Sequence, residues 1–226
     1  MSEYLHAAGT IKDTDALQTK GPRDATELIE SAKRAAAQRA VNDYFDVNMQ
    51  FVGIGSGTTI QYVVEAIKEK AGDKRIFYVP TGFQSRQEIE KRGLIAFPID
   101  SLPENITLDV AFDGADEVDE DFNCVKGGGA CLFQEKLVAM RAKKFVCVAG
   151  QHNESCLLLP TSDLTWSSDY RKDVQRLLTG WPYIPIEVAP IAVKTVTKSL
   201  RELGCPNPEL RTLGEMIYKP QDDVRE

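Results

Sequence analysis

Short apolar runs alternate along this chain with stretches whose apolar residues recur every three or four positions. Met49-Gln-Phe-Val-Gly-Ile-Gly55, Arg75-Ile-Phe-Tyr-Val-Pro80, Thr107-Leu-Asp-Val-Ala-Phe112 and Lys144-Phe-Val-Cys-Val-Ala149 read as strands, and Leu94–Ile99 as a further one. Between them the helical period appears. Leu28, Ile29, Ala32, Ala36, Ala40, Val41 and Tyr44 share one face of a helix that starts near Asp24 or Thr26. Val63, Val64, Ala66 and Ile67 mark a second helix, Gln84–Arg92 a third stopped by Gly93, and Leu132–Ala142 a fourth. Continuous apolar strands alternating with helices imply βαβ units. The expected fold is therefore α/β, a Rossmann-like parallel sheet flanked by helices. Ligands of such sheets bind beyond the carboxyl ends of the strands.

The rhythm covers only part of the chain. Residues 1–23 are polar and aperiodic and read as a flexible tail. Residues 24–183 form the main α/β domain, within which 150–168 shows neither period. Ile184–Ala189 reads as a strand and Val193–Leu203 as a helix ended by Gly204, so 184–226 is expected to be part of a second, small α/β domain.

Composition narrows the chemistry. Only two histidines occur, His6 and His152, neither in a patterned segment. Ser-His-Asp catalysis and histidine-rich metal sites are thereby disfavoured, leaving carboxylates, lysines and hydroxyls. A net charge of −7 offers no electrostatic footprint for nucleic acid. No apolar run approaches the roughly 20 residues of a membrane span. The five cysteines show no CxxC spacing and no secretory leader opens the chain, so reduced thiols and a cytoplasmic protein are expected.

Three segments carry chemistry. Gly53-Ile-Gly55-Ser56-Gly57-Thr58-Thr59 joins a strand to a helix, where glycines admit an anion and hydroxyls at a helix N-terminus hold it. It has neither GxGxxG spacing nor the Gly-Lys-Ser/Thr of a P-loop, and a plain tight turn is the alternative. Asp113-Gly114-Ala115-Asp116-Glu117 puts three carboxylates after a strand, where mutual repulsion should raise some pKa values and suit them to acid–base work. Asp119, Glu120 and Asp121 read instead as a solvated turn. Lys126-Gly127-Gly128-Gly129 precedes Glu135-Lys136 at a helix start. Consecutive glycines cost chain entropy, which points to a close approach of backbone to ligand. Their amides and Lys126 could then stabilise a developing oxyanion.

In order and spacing these segments resemble the ribose-5-phosphate isomerase family, type A, and the resemblance runs from about residue 27 to about 204. It implies an aldose–ketose isomerase of the pentose phosphate pathway that interconverts ribose 5-phosphate and ribulose 5-phosphate through a cis-enediolate. By position it implies Glu135 as the base, Asp113 and Asp116 assisting ring opening and proton traffic, and Lys126 stabilising charge on oxygen. Ser56, Gly57, Thr58, Thr59, Gly114, Ala115, Gly127, Gly128 and Gly129 would contact substrate, with Lys33 of the first helix at the phosphate. The resemblance implies no cofactor, no metal and a homo-oligomer. Competing readings are a non-catalytic sugar-phosphate-binding module or inactive isoform on the same fold, and a coenzyme A transferase, whose motifs do not fit the Lys-Gly-Gly-Gly…Glu-Lys spacing.

Two departures stand out. The family's Asp-x-x-Lys motif follows the strand that here ends at Ala149, yet this chain has it at Asp169-Tyr170-Arg171-Lys172. An insertion of residues 150–168, of the kind a retained intron leaves, accounts for the shift and makes Lys172 a substrate contact. A true surface loop is the alternative. Beyond Arg211 the chain also leaves the family pattern, so the second domain is expected to be incomplete. An unpaired edge, an exposed apolar face and weak folding or activity should follow.

Overall fold

The computed structural model describes residues 25–119, 121–129, 131–148, 164–167, 175–179 and 183–211. Its centre is a parallel sheet of six strands. In chain order these are β1 (Phe51–Ile54), β2 (Phe77–Pro80), β3 (Ile95–Ala96), β4 (Val110–Asp113), then β7 (Phe145–Val148) and β8 (Leu164–Ser167). Between β4 and β7 the short strands β5 (Glu117–Val118) and β6 (Cys124–Val125) form a separate antiparallel pair. The large sheet runs β3-β2-β1-β4-β7-β8, and every pairing in it is parallel. The chain starts in the middle and winds outward both ways, so the strand order reverses between β1 and β4, where ligand crevices form.

Helices cover both faces because both faces are apolar. Helix α1 (Ala25–Tyr44) and helix α2 (Thr58–Ala71) supply Ala36, Ala37, Ala40, Val41, Val63, Val64 and Ile67 to the larger core. These pack on Val52, Ile54, Val110, Phe112, Val146 and Val148, and Ile89 of α3 (Phe83–Lys91) joins them on Tyr78. Each fully buried Val, Ile or Phe side chain among them contributes about 1.5–3 kcal/mol. The alternate strand residues, Val79 and Ala111, face the other way and meet Val138 of α4 (Leu132–Met140). A trio of rings, Phe51, Phe77 and Phe97, closes that side with centroids 5.4–5.7 Å apart. Because strand side chains alternate, Asp113 falls on the same face as Ala111, the face that α4 covers.

Several elements differ from the sequence reading. The strand expected over Leu94–Ile99 pairs only at Ile95–Ala96, since Pro98 ends the ladder and Ile99–Ser101 turns into a 3₁₀ helix. Ile184–Ala189 is not a strand: among the described residues it has no ladder, and Pro185 removes a backbone donor near its start. The run read as aperiodic contains β8, four residues that pair in parallel with all of β7 and are too few to show a period. The β5–β6 pair was also not foreseen, being two residues per strand. Its hairpin is held by Asp119, whose carboxylate accepts the N–H groups of Asp121 at 3.1 Å and Asn123 at 2.8 Å. That acidic turn is thus a built one, and Glu120 lies outside the described residues, as does the expected tail.

After the sheet, a 3₁₀ turn (Pro190–Ala192) leads into helix α5 (Val193–Glu202), which Gly204 ends at φ +93°. Ile184, Ile186, Ile191, Leu203 and Leu210 are all exposed here. Among the described residues no helix is long and apolar enough to cross a membrane.

Candidate active site

The carboxyl end of β4 holds the site together. There Gly55 N–H donates to Phe112 O at 2.8 Å, which lays the loop after β1 alongside Asp113. Asp113 Oδ1 accepts the N–H groups of Ser56 at 3.2 Å and Gly114 at 2.8 Å. The approach is close enough that a Cβ on Gly55 would lie 1.9 Å from that oxygen, so no larger residue fits.

The β5–β6 hairpin then brings a cation back over the same carboxylate. Asp116 N–H donates to Val125 O at 2.7 Å, and Lys126 follows directly. Lys126 Nζ donates to Asp113 Oδ2 at 3.0 Å and to Gly114 O, and it pairs with Glu135 Oε2 at 3.1 Å. Glu135 comes from the first turn of α4, where its N–H donates to Cys131 O at 2.9 Å. Its other oxygen, Oε1, accepts from Ser56 Oγ at 3.0 Å. Two carboxylates with side chains only 4% and 6% exposed thus share one ammonium, itself 17% exposed.

The glycine run closes the rim. Gly127 adopts φ +95°, and Gly128 N–H donates to Asp116 Oδ2 at 2.7 Å. Of the three amides expected to face a ligand, that of Gly128 is therefore committed to Asp116. A Cβ at Gly128 would lie 2.5 Å from Asp116 Oδ1.

These pieces enclose a cleft of about 230 Å³ lined by Ser56–Thr59, Asp113–Asp116, Lys126–Gly129 and Glu135. Lys33 lies outside that lining, one hydrogen bond away: its Nζ donates to Thr58 Oγ1 at 3.0 Å and to Glu30 Oε1 at 2.7 Å. Lys172 lies outside the described residues. The β5–β6 hairpin is what the sequence reading left out of the site; Gly55 stood in its glycine–hydroxyl segment, but the close approach to Asp113 was not read from it.

Burial pushes the Asp113 carboxyl up to about 6; Lys126 opposes this and the nearby Glu135 adds to it. The expected rise is present, but its carboxylate source is Glu135 from α4 rather than repulsion within 113–117. Burial also works against the charge on Lys126, yet Asp113 and Glu135 together hold its pKa above the ordinary lysine value. Among the described residues no three His, Cys, Asp or Glu side chains gather as a metal site, and the cation between the two carboxylates is the Lys126 ammonium. Chemically, the arrangement offers a protonatable carboxyl, a second carboxylate and a fixed cation within one small cleft, as proton transfer at carbon beside a carbonyl requires.

Known proteins share this arrangement of sequence and fold. Residues 77–220 match the profile of the family described as ribose 5-phosphate isomerase A (phosphoriboisomerase A). A ribose-5-phosphate isomerase of Schizosaccharomyces pombe is 43% identical over 183 residues, covering 81% of this chain but only 59% of that relative. Among solved structures, ribose 5-phosphate isomerase A from Methanocaldococcus jannaschii superposes with a TM-score of 0.59 at 28% identity, over 77% of this chain and 68% of that one. A D-ribose-5-phosphate isomerase in complex with phospho-erythronic acid gives a TM-score of 0.60 at 29% identity, over 78% and 67% of the two chains. With a profile match over more than half its length, this chain belongs to the ribose 5-phosphate isomerase A family.

Proposed function

We propose that the chain interconverts D-ribose 5-phosphate and D-ribulose 5-phosphate by proton transfer between C2 and C1 through a cis-enediolate. The observation that carries this reading is the ammonium of Lys126, shared at 3.0 and 3.1 Å by the buried carboxylates of Asp113 and Glu135. In the open-chain aldose, Glu135 takes the C2 proton, and the electron pair moves through C1 onto O1. Lys126 meets the charge that develops there, in a cleft where low dielectric strengthens the interaction. Asp113, whose pKa of about 6 lets it both give and take a proton near neutrality, exchanges protons with the sugar hydroxyls. Glu135 then returns its proton to C1, leaving the ketose. Asp116 holds the glycine run through Gly128 and assists ring opening from the opposite rim.

The phosphate fits the other end of the cleft. Helix α2 begins at Thr58, so Ser56, Thr58 and Thr59 offer hydroxyls where the helix N-terminus favours an anion. Lys33, bonded to Thr58, adds a cation, and Lys172 is assigned as a further contact on its Asp169–Lys172 motif. The phospho-erythronic acid in the related structure supports this reading: its carboxylate spreads negative charge over two oxygens, as an enediolate does. A cytoplasmic homo-oligomer is part of the same proposal, checked by cell fractionation and light scattering.

The direct test is ketose formation from ribose 5-phosphate by the purified chain, run in deuterated water. We expect ribulose 5-phosphate above the uncatalysed background, with deuterium at C1, because a proton held on a carboxylate exchanges with solvent. No ketose at saturating sugar phosphate from a folded sample would overturn the proposal.

A further inference from the structure

Beneath Asp113 and Lys126 two strands bring a pair of cysteines together. β7 pairs with β4 so that Cys147 stands opposite Asp113, on the sheet face that carries the site, and it is fully buried. Cys124 on β6 lies two positions before Lys126. It packs against the small cluster of Ala115, Val118 and Cys147. Cys124 Sγ donates to Phe122 O at 3.7 Å, and the cluster it packs against contains the Cys147 thiol. Both are unpaired in the covalent sense, and only Cys124 is partly open to solvent.

A core cysteine is ordinarily inert filling. This pair differs in three ways: one thiol is partly exposed, the second lies in the small cluster it packs on, and Lys126 follows the first by two residues. The neighbouring Cys147 thiol, and after it the Lys126 charge, outweigh burial and hold the Cys124 thiol below its usual range. Exposure, a neighbouring cation and a resolving partner are the conditions under which thiols react with peroxides.

We propose that Cys124 and Cys147 form a peroxide-sensitive dithiol whose closure to a disulfide switches the adjacent site off. The Cys124 thiolate attacks one oxygen of hydrogen peroxide: a sulfur–oxygen bond forms, the oxygen–oxygen bond breaks, and the departing hydroxide takes a proton to become water. Sulfur is oxidised to the sulfenic acid as the peroxide is reduced. Cys147 sulfur then displaces hydroxide from Cys124; the disulfide forms, the sulfur–oxygen bond breaks, and hydroxide leaves with the Cys147 proton as a second water. A disulfide is only about 2.05 Å long, well inside thiol contact, so closure draws β6 towards β7. Lys126, two residues further on, is carried from its places beside Asp113 and Glu135.

The experiment treats the purified chain with hydrogen peroxide, alkylates remaining thiols, and follows linked peptides by mass spectrometry alongside ketose formation. We expect a Cys124–Cys147 link, and turnover falling about tenfold or more, since ångström displacements of positioned groups cost on the order of a hundredfold. Dithiothreitol should restore it. C124S should show no link and keep its turnover under the same treatment. In C147A, should it fold, dimedone should trap the Cys124 sulfenic acid. Absence of the link in wild type, a link that leaves turnover unchanged, or equal inactivation of C124S would each overturn the proposal. The turnover arm rests on the isomerase reading, whereas the peptide link does not. A chain that forms the link yet makes no ketose even when reduced contradicts the isomerase and leaves the dithiol standing.

Discussion

An aspartate stands at each end of β4, and the two have the same kinds of partner. Asp109, just before the strand, accepts the N–H groups of Gln50 at 2.8 Å and Phe51 at 3.3 Å and pairs with Lys143 at 2.8 Å. Asp113, at its carboxyl end, accepts two backbone N–H groups and pairs with Lys126. Their ionisation nevertheless moves in opposite directions. At Asp109 burial is the largest influence and pushes upward, but Lys143 and the two amides outweigh it and the carboxyl sits below its ordinary value. At Asp113 burial wins and the value rises to about 6. The Asp109 side chain is 23% exposed and that of Asp113 only 4%, and among the described residues only Asp113 has a second carboxylate, Glu135, sharing its lysine. A partner list does not make an acid–base group; desolvation and a competing charge do.

The volume of the clefts gives the same warning. The amino ends of the strands border an open cleft of about 460 Å³, larger than the one at the carboxyl ends. It too is lined by carboxylates and lysines, among them Asp46, Asp109, Lys70 and Lys144. Only the smaller cleft has its charged groups buried around a shared cation.

The sharpest break of this contrast is E135Q, which removes the proposed base together with the charge that helps raise Asp113. We expect kcat/KM for ketose formation to fall about a thousandfold, within the range of general-base losses. Activity within a few-fold of wild type would remove Glu135 from that role. Next is G55A. Its methyl would sit 1.9 Å from the Asp113 carboxylate, which three hydrogen bonds hold in place, so turnover should drop about a hundredfold through misplacement alone. S56A removes the hydroxyl that Glu135 Oε1 accepts; a loss of about tenfold, mainly in kcat, is expected for one hydrogen bond to a charged group. An effect confined to KM would make Ser56 a substrate contact alone.

A smaller difference lies in stability against pH. Because the Asp113 pKa is raised in the folded state, the unfolded chain loses its proton first, near pH 3.8, while the folded chain keeps it to about pH 6. Stability from this group therefore falls as pH rises through that window, by on the order of 3 kcal/mol. Asp109 has the opposite sign: its lowered pKa gives stability above pH 3.8 that is lost as pH falls. Denaturant titrations of D113N and D109N across pH should each lack one of these slopes. D109N should keep its turnover. Parallel curves for both variants and wild type would dissolve the contrast.

Much of this was legible from the chain. Asp113, Lys126 and Glu135 stood out because each follows a recognisable strand or opens a helix, and the glycines between them serve no packing role. What local pattern does not encode is which distant group meets which. The sequence placed Asp113 among its neighbours Asp116 and Glu117, whereas in the fold Asp116 turns to Gly128 and Glu117 accepts the Leu178 N–H. The strand-like Ile184–Ala189 fails for a related reason: a strand needs a ladder, and apolar residues around Pro185 do not supply one. One of its residues instead reaches helix α4, where Glu187 Oε2 accepts the Phe133 N–H at 2.8 Å. At fifty-four positions' separation, no spacing rule announces that contact.

The most direct measurement is a carboxyl carbon-13 NMR titration that follows Asp109 and Asp113 in one sample. Asp113 should titrate near pH 6 and Asp109 below 3.8, and in E135Q the Asp113 midpoint should move down towards that of Asp109. Coincident midpoints near 4, as solvated aspartates show, would contradict the claim that burial around a shared lysine is what makes this end of the strand reactive.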